Sequence, residues 1–173
     1  MFGFGKKKSA AKSTQETQGT PCEPLVAPVT GQYKPLSSVA DPVFAQGMMG
    51  EGYAVEPDES TIVAPVSGEI ALLQSTCHAF MIRTADRAEV LVHVGIDTVE
   101  LEGRGLSALA QVGQTVTAGQ AVIKADWAAI RADIPSTEVM VMVTNSKQFG
   151  VSTQDENPRP VAAGQEVANL VKK

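Results

Sequence analysis

The chain has 173 residues, of which 43% are apolar and 19% are charged, and its formal net charge is −5. This length suits one domain with a sizeable core, and the acidic balance gives no reason to expect nucleic-acid binding. Cys22 and Cys77 form neither a metal-binding spacing nor a disulfide framework, and no apolar run is long enough to cross a membrane, so we expect a reduced, cytoplasmic protein.

Residues 1–21 differ in composition from the rest of the chain. They are polar and low in complexity, and their positive charge comes from Lys6, Lys7, Lys8 and Lys12. The segment lacks the apolar core of a secretory signal, so we predict a disordered basic arm before a single domain at residues 22–173. Two interpretations stay open: a solvated tail without a role, or weak attraction to the inner face of the membrane through the lysines and two phenylalanines.

Two pairs of short segments repeat along the body of the chain. VAPVTG at 26–31 returns as VAPVSG at 63–68, and VTAGQAV at 116–122 returns as VAAGQEV at 161–167. In each segment a strand-forming stretch meets a turn that contains glycine. The repeats therefore predict a duplicated all-β architecture, in which two half-barrels form one closed or sandwiched domain.

Helical signals are few and short. GLSALAQVG at 105–113 places Leu106, Leu109 and Ala110 on one face and ends at a glycine, which predicts about two turns of helix. DWAAIRADIP at 126–135 offers Asp126 as an N-cap and has a proline beyond its far end. We expect one or two very short helices.

Both histidines of the chain lie at the ends of one predicted hairpin. HAFMIRT at 78–84 and AEVLVHVG at 88–95 are rich in strand-favouring residues. A two-residue turn at Ala85 and Asp86 would place His78 directly opposite His93, with Cβ atoms about 4.5–5.5 Å apart. A three-residue turn or a bulge would break this register.

Facing imidazoles have three interpretations. Both histidines can be hydrogen-bonded structural residues at the margin of a sheet. They can bind zinc, although catalytic zinc usually takes three protein ligands and only carboxylates such as Asp97 offer a third. One neutral imidazole can also act as a nucleophile while the other orients it or stabilises a negative group. Cys77 adjoins His78, but strand alternation places it on the opposite face, in the core.

Thr76 and Asp97 share the alternation of the two histidines along their own segments. The hydroxyl of Thr76 lies two residues before His78 and can bond the ring nitrogen that is not used for chemistry, which would fix the tautomer. Asp97 follows His93 by four residues. It is either a turn-forming residue or a charge that attracts a cation on a partner.

Three motifs carry a resemblance to a known family. APVSGEI, CHAF and LVHVGIDTVELEGRG resemble, in this order, the glucose-type enzyme IIA of the bacterial phosphotransferase system, and the similarity runs from about Leu25 to the C-terminus. The resemblance implies an antiparallel β-sandwich with a duplicated motif, so that residues 22–173 would be one enzyme IIA domain. It also implies that His93 accepts a phosphoryl group from the phosphohistidine of the small phosphocarrier protein, supported by His78. The receiver would be a cysteine on the IIB domain of a sugar permease, and no metal or nucleotide would be required.

The resemblance further implies a partner-binding surface around the histidines. A hydrophobic collar maps to Val43, Phe44, Met48, Met49 and Leu91, although each of these can instead be ordinary core. Asp41 and Asp97 match acidic positions that meet a basic residue of the phosphocarrier. Gln74 and Leu91 stand where many relatives carry phenylalanine, so we expect a less aromatic collar.

Other possibilities follow from related families. In some enzyme IIA relatives the two histidines share a zinc ion with a partner's carboxylate, so His78 and His93 are a partner-dependent metal site by resemblance. Regulation of transporters or kinases by the unphosphorylated form is also compatible. A zinc peptidase of the lysostaphin type has similar turns but needs more than two histidines. A lipoyl or biotinyl domain needs a lysine at a hairpin tip, which this chain lacks.

Overall fold

The computed structural model describes residues 19–153 and 155–173, and it confirms the prediction of an all-β protein. The strands of the described residues are β1 Thr20–Val26, β2 Gly31–Pro35, β3 Glu51–Pro57, β4 Thr61–Val63, β5 Gly68–Leu73, β6 Ala79–Arg83, β7 Glu89–Ile96, β8 Leu106–Ala108, β9 Thr115–Val116, β10 Ala121–Ala125, β11 Ser136–Val143, β12 Phe149–Thr153, β13 Arg159–Val161 and β14 Glu166–Lys172. Two one-turn helices are present in the same residues, α1 Pro42–Ala45 and α2 Trp127–Ile130, together with 3₁₀ turns at Leu36–Ser38, Thr98–Leu101 and Arg131–Asp133.

The strands form antiparallel sheets that pack as a sandwich. One sheet has eight strands in the order β13-β2-β3-β11-β7-β6-β5-β9, and two smaller sheets have the orders β1-β14-β12 and β4-β10-β8. No sheet of the described residues closes into a barrel, because β13 and β9 remain as the two edges of the large sheet. The sandwich alternative is therefore confirmed.

Hydrogen bonds between the two VAP repeats confirm the duplication. The N–H of Val26 donates to the carbonyl of Pro65 at 2.9 Å, and the N–H of Val63 donates to the carbonyl of Pro28 at 2.7 Å. Each repeat therefore donates an equivalent backbone hydrogen bond, from the N–H of its first valine to the proline carbonyl of the other repeat. The large sheet shows the same symmetry, since its two four-stranded halves meet at the central pair β11 and β7.

The central strands bury both of their faces. On one face, the valines of β7 and β11 belong to the main core between the sheets. On the other face, Leu91 packs with Met140 and Met142 in a second apolar cluster. Residues 36–49, between β2 and β3, cover this second face, and we call them the covering segment. The covering segment contributes the buried residues Leu36 and Val39 to the second cluster.

The two helix predictions have opposite outcomes. The helix expected at 105–113 is wrong: β8 begins at Leu106, which pairs with Ala125 of β10. Pairing with β10 overrides a weak local helical pattern. The second prediction is confirmed, because Asp126 caps α2 by accepting a hydrogen bond from the N–H of Ala129 at 3.3 Å.

Strand β1 begins two residues before the domain boundary expected at residue 22. Thr20 and Pro21 belong to it and pair with Lys172 and Val171 of β14. Residues 1–18, which include the arm's lysines, lie outside the described residues. Within the residues that the structure describes, no helix is long and apolar enough to cross a membrane.

Candidate functional site

The hairpin register differs from the prediction by one residue. β6 pairs with β7 so that Ala79, and not His78, lies opposite His93. The cause is the turn, which has three residues between Thr84 and Ala88; Arg87 adopts a positive φ of 73°, and its N–H donates to the carbonyl of Thr84 at 2.9 Å. A non-glycine residue in the left-handed region is uncommon, and no glycine marks this turn in the sequence.

The two imidazoles nevertheless lie side by side, because His78 is not part of the regular strand. β6 begins only at Ala79, and Cys77 has a positive φ of 58°, so the backbone leaves the pleated geometry before His78. The alternation that would send His78 to the opposite face therefore does not apply there. The ring centroids of His78 and His93 are 5.5 Å apart in an edge-to-face arrangement, while Cys77 is buried in the main core as predicted.

A backbone carbonyl orients the ring of His93. Nδ1 of His93 lies 2.7 Å from the carbonyl oxygen of Gly95. Because a carbonyl oxygen only accepts hydrogen bonds, Nδ1 carries the proton and Nε2 keeps its lone pair. Gly95 reaches this position with a φ of +76°, which is easy only for glycine. The geometry thus leaves Nε2 of His93 free to bind or attack.

A threonine hydroxyl orients the ring of His78. Oγ1 of Thr76 forms a hydrogen bond with Nδ1 of His78, which is the contact expected from the sequence. The Nε2 atom of His78 is therefore left for other partners, as is Nε2 of His93. Each ring is fixed by a group within two residues of it, so the local chain sets both orientations.

The covering segment adds an aromatic ring to the site. The ring of Phe44, on α1, lies beside the ring of His93. The two ring centroids are 5.0 Å apart, and the ring planes make an angle of 51°. Asp41 caps α1 by accepting the N–H of Val43 at 2.8 Å, and a proline occupies the first helical position. Helix α1 was not predicted from the sequence, although Asp-Pro is a helix-start signal.

Burial favours the neutral form of both histidines. Desolvation lowers the pKa of His93, and the neighbouring His78 lowers it further. Three groups raise the pKa of His93, namely the Gly95 carbonyl, Asp41 and Asp97, but burial keeps the pKa below its ordinary value. Desolvation also lowers the pKa of His78. Both imidazoles are therefore poised as neutral groups at neutral pH.

Asp41 and Asp97 flank the histidine pair from two different elements. Asp41 lies at the start of α1, and Asp97 follows β7 with a positive φ of 58°. Both carboxylates raise the pKa of His93, which places them within electrostatic range of its ring. Asp97 also precedes the 3₁₀ turn Thr98–Leu101, so its turn-forming interpretation is compatible with its position.

The predicted collar divides into exposed and buried residues. Met48 is 71% exposed, Val43 is 44% exposed and Met49 is 39% exposed, while Phe44 is half-buried against His93. Leu91 is only 8% exposed and belongs to the second apolar cluster. This burial favours the ordinary-core interpretation of Leu91.

The histidine pair offers two ligands to a metal. No group of three or more histidine, cysteine, aspartate or glutamate residues gathers as a metal site in the described part of the chain. Nδ1 is hydrogen-bonded in both rings, so a metal would bind through Nε2; for His78 this requires the Thr76 hydroxyl to accept the hydrogen bond from Nδ1. A zinc ion with three protein ligands would need the third from a partner, and this remains a prediction.

Two residues of the site were missed by the sequence analysis. Gly95 was noted only as part of the longer motif LVHVGIDTVELEGRG, although glycine is the residue that most easily adopts a positive φ. Glu138, on β11, accepts a hydrogen bond from Ala40 of the covering segment. Nothing in the sequence signals a contact between residues so far apart.

Together, the fold and the paired imidazoles define a β-sandwich protein that offers an unprotonated histidine nitrogen at a partly apolar surface. The model of the family described as "phosphoenolpyruvate-dependent sugar phosphotransferase system, EIIA 1" matches residues 23–149. The chain therefore belongs to this family, which assigns it a phosphotransfer role in sugar uptake.

Individual relatives agree with the family. The chain is 41% identical over 146 residues to the "PTS system glucose-specific EIIA component" of Bacillus cereus, covering 84% of this chain and 81% of that relative. It is 47% identical over 123 residues to the "PTS system glucose-specific EIICBA component" of Streptococcus pneumoniae, covering 71% of this chain and 17% of that longer relative. The solved structure of glucose permease IIA from Mycoplasma capricolum has a TM-score of 0.77 and 32% identity, covering 84% of this chain and 94% of that one.

Proposed function

We propose that Nε2 of His93 carries a phosphoryl group from the phosphohistidine of the phosphocarrier protein to a cysteine on the IIB domain of a sugar permease. The observation that carries this proposal is the 2.7 Å hydrogen bond from Nδ1 of His93 to Gly95, which leaves Nε2 unprotonated beside His78. Family membership supports the reaction class. The EIICBA relative, whose name joins three components in one chain, supports the link to a IIB domain.

The proposed step exchanges one nitrogen–phosphorus bond for another. Nε2 of His93 attacks phosphorus in line, while the donor nitrogen leaves with the electron pair of the broken bond. The proton on Nδ1 stays in place, and the Gly95 carbonyl stabilises the positive charge that the phosphorylated ring acquires. Because similar groups are exchanged, the reaction needs mainly positioning.

His78 is proposed to stabilise the transferring group. If the hydroxyl of Thr76 donates to Nδ1 of His78, the proton of the neutral ring lies on Nε2. That N–H can then donate to an oxygen of the phosphoryl group on the adjacent His93. Thr76 therefore acts through His78 and needs no contact with the phosphoryl group.

The surface around the site suits a basic protein partner. Asp41 and Asp97 provide negative charge within electrostatic range of His93, and the exposed Val43 and Met48 would provide an apolar contact that excludes water. Methionine adapts to different contacts, which suits a surface that must accept both the donor and the receiver.

The same exposed patch supports a regulatory role as a second proposal. Met48 and Val43 are available when His93 is unphosphorylated, so regulated transporters or kinases can dock there in that state. A partner that places a carboxylate beside His78 and His93 would complete a zinc site. Zinc should then tighten binding of such a partner to the wild type and have no effect on its binding to the His78→Gln variant.

Incubation with phosphoenolpyruvate and the two general phosphotransferase proteins tests the proposed function. The wild type should acquire an acid-labile phosphate, and His93→Ala should acquire none; phosphate on another residue of that variant would refute the assignment. His78→Gln should accept phosphate but pass it slowly to a IIB domain, because glutamine keeps a donor without exchanging a proton easily. Unimpaired transfer by this variant would remove His78 from the mechanism.

A further inference from the structure

A buried carboxylate lies on the same face of the sheet as the histidine site. Glu138 of β11 is only 3% exposed, and it precedes by two residues Met140, which pairs with His93 across the two central strands. Its Oε2 atom forms an ion pair with the ammonium group of Lys34 on β2. The pair therefore joins two strands of the large sheet beneath the covering segment.

The other oxygen of this carboxylate binds the covering segment. Oε1 of Glu138 accepts a hydrogen bond from the N–H of Ala40 at 3.0 Å and another from the hydroxyl of Ser136 at 2.7 Å. Ala40 is the residue immediately before Asp41. The carboxylate thus ties the chain to the sheet two residues before α1, the helix that reaches the site.

Packing holds α1 only in part. The helix is a single turn, none of its four residues is fully buried, and Phe44 and Ala45 are partly buried against the second apolar cluster. The buried anchors Leu36 and Val39 both precede Ala40. Beyond Ala40, Asp41 lies in electrostatic range of His93, and the Phe44 ring lies 5.0 Å from the His93 ring. The position of both groups therefore depends on where Ala40 is held.

The energetics of the ion pair favour a positioning role over a stabilising one. Replacing a buried ion pair by apolar side chains of similar volume is often neutral for stability, because desolvation offsets the attraction. Burial raises the pKa of Glu138, but the Lys34 ammonium and the hydrogen bonds from Ala40 and Ser136 outweigh it and leave the pKa below its ordinary value. The carboxylate is thus ionised at neutral pH, and its hydrogen bond to Ala40 is of the stronger, charge-assisted kind.

We propose that Glu138 is a positioning residue, which holds the N–H of Ala40 and thereby sets Asp41 and Phe44 against His93 for partner docking. The docking part of this inference rests on the proposed function. The anchoring part does not, because it concerns the covering segment of the free protein.

Hydrogen exchange of the free protein tests the anchoring. The Lys34→Met/Glu138→Leu double variant removes the acceptor of Ala40 without leaving a lone buried charge. The Ala40 amide should then exchange roughly tenfold faster or more, as expected for a lost hydrogen bond to a charged group. Glu138→Gln keeps an oxygen acceptor and should give a smaller increase. Asp133→Asn is the control, since it removes one negative charge from an exposed pair with Arg104 at 2.8 Å.

The ring-current shift that Phe44 produces on the His93 ring provides a second measurement. It should shrink in the double variant and stay unchanged in Asp133→Asn. Unchanged Ala40 exchange in both Glu138 variants would overturn the anchoring, and so would an unchanged ring-current shift in the double variant.

Transfer kinetics separate positioning from mere stability. In the double variant, KM for the phosphorylated phosphocarrier should rise several-fold while kcat changes less, even where the free energy of unfolding equals that of the wild type. A normal KM would overturn the docking part of the inference. If the wild type itself accepts no phosphate at His93, the proposed function fails, while the exchange measurements still decide the anchoring.

Discussion

Replacing Gly95 with alanine should damage the site more than its small size suggests. Gly95 has a φ of +76°, and a Cβ there would lie 2.6 Å from Cγ2 of Thr98. The side chain of Thr98 is held in place, because its hydroxyl donates to the carbonyl of Val94 at 2.6 Å. The backbone must therefore move, and the Gly95 carbonyl moves away from Nδ1 of His93 with it.

The expected loss of stability has two parts. The left-handed conformation costs an alanine about 1–2 kcal/mol, and relieving the overlap with Thr98 costs about 1–3 kcal/mol as an overpacked core. Gly113→Ala is the matched control. Its φ is +89° and nothing lies within 4 Å of an added Cβ, so only the first cost applies. The difference in unfolding free energy between the two variants then measures the overlap.

The assay is nitrogen-15 NMR of the imidazoles, combined with the rate of phosphate acceptance. In the wild type and in Gly113→Ala, His93 should show a proton on Nδ1 at neutral pH. In Gly95→Ala this preference and the acceptance rate should both fall. Adding Thr98→Ser removes the clashing methyl group but keeps the hydroxyl, so it should restore part of each. An unaltered His93 tautomer and rate in Gly95→Ala would refute the role assigned to the Gly95 carbonyl.

Three further predictions follow from the site. Asp41→Asn and Asp97→Asn should slow association with the phosphocarrier and flatten its salt dependence, as measured by stopped-flow kinetics at several ionic strengths; an unchanged salt slope would contradict the steering role. Because the pKa of His93 is lowered, the rate of phosphate acceptance should be constant through neutral pH and fall only on acidification, when Nε2 binds a proton. A rate that already falls between alkaline and neutral pH would contradict this. Phe44→Ala should raise the pKa of His93 towards its ordinary value, because desolvation is the main cause of the shift; an NMR titration without such a rise would show that Phe44 does not shield the ring.

Local patterns predicted the features that depend on neighbouring residues. The contact of Thr76 with His78 follows from a separation of two residues, and the cap of α2 by Asp126 follows from a helix-start signal. The duplication was visible in the VAP repeats, which exchange equivalent hydrogen bonds in the structure. These features need little knowledge of the rest of the fold.

The errors arose where the backbone leaves regular geometry. The hairpin register depends on Arg87, which adopts a left-handed conformation that its side chain does not favour. The histidine rings meet because Cys77 adopts a left-handed conformation and His78 precedes the regular strand, so the expected proximity is correct although the expected pairing is wrong. Ordinary strand alternation could not predict either residue's conformation.

Long-range contacts were also out of reach of the sequence. Leu91 was expected in the collar by resemblance or else in the core, and its burial depends on packing with Leu36 and Val39 of the covering segment. The bond between Glu138 and Ala40 joins residues 98 positions apart. A single glutamate in a strand is usually solvent-exposed, and only the fold shows that this one is buried.

The position of the phosphorus–nitrogen bond tests the central chemistry most directly. The protein should be phosphorylated with phosphoenolpyruvate and the two general phosphotransferase proteins, and the modified imidazole examined by phosphorus-31 and nitrogen-15 NMR. We expect the phosphoryl group on Nε2 of His93, with the proton retained on Nδ1. A phosphoryl group on Nδ1 of that ring, or on the ring of His78, would contradict the account.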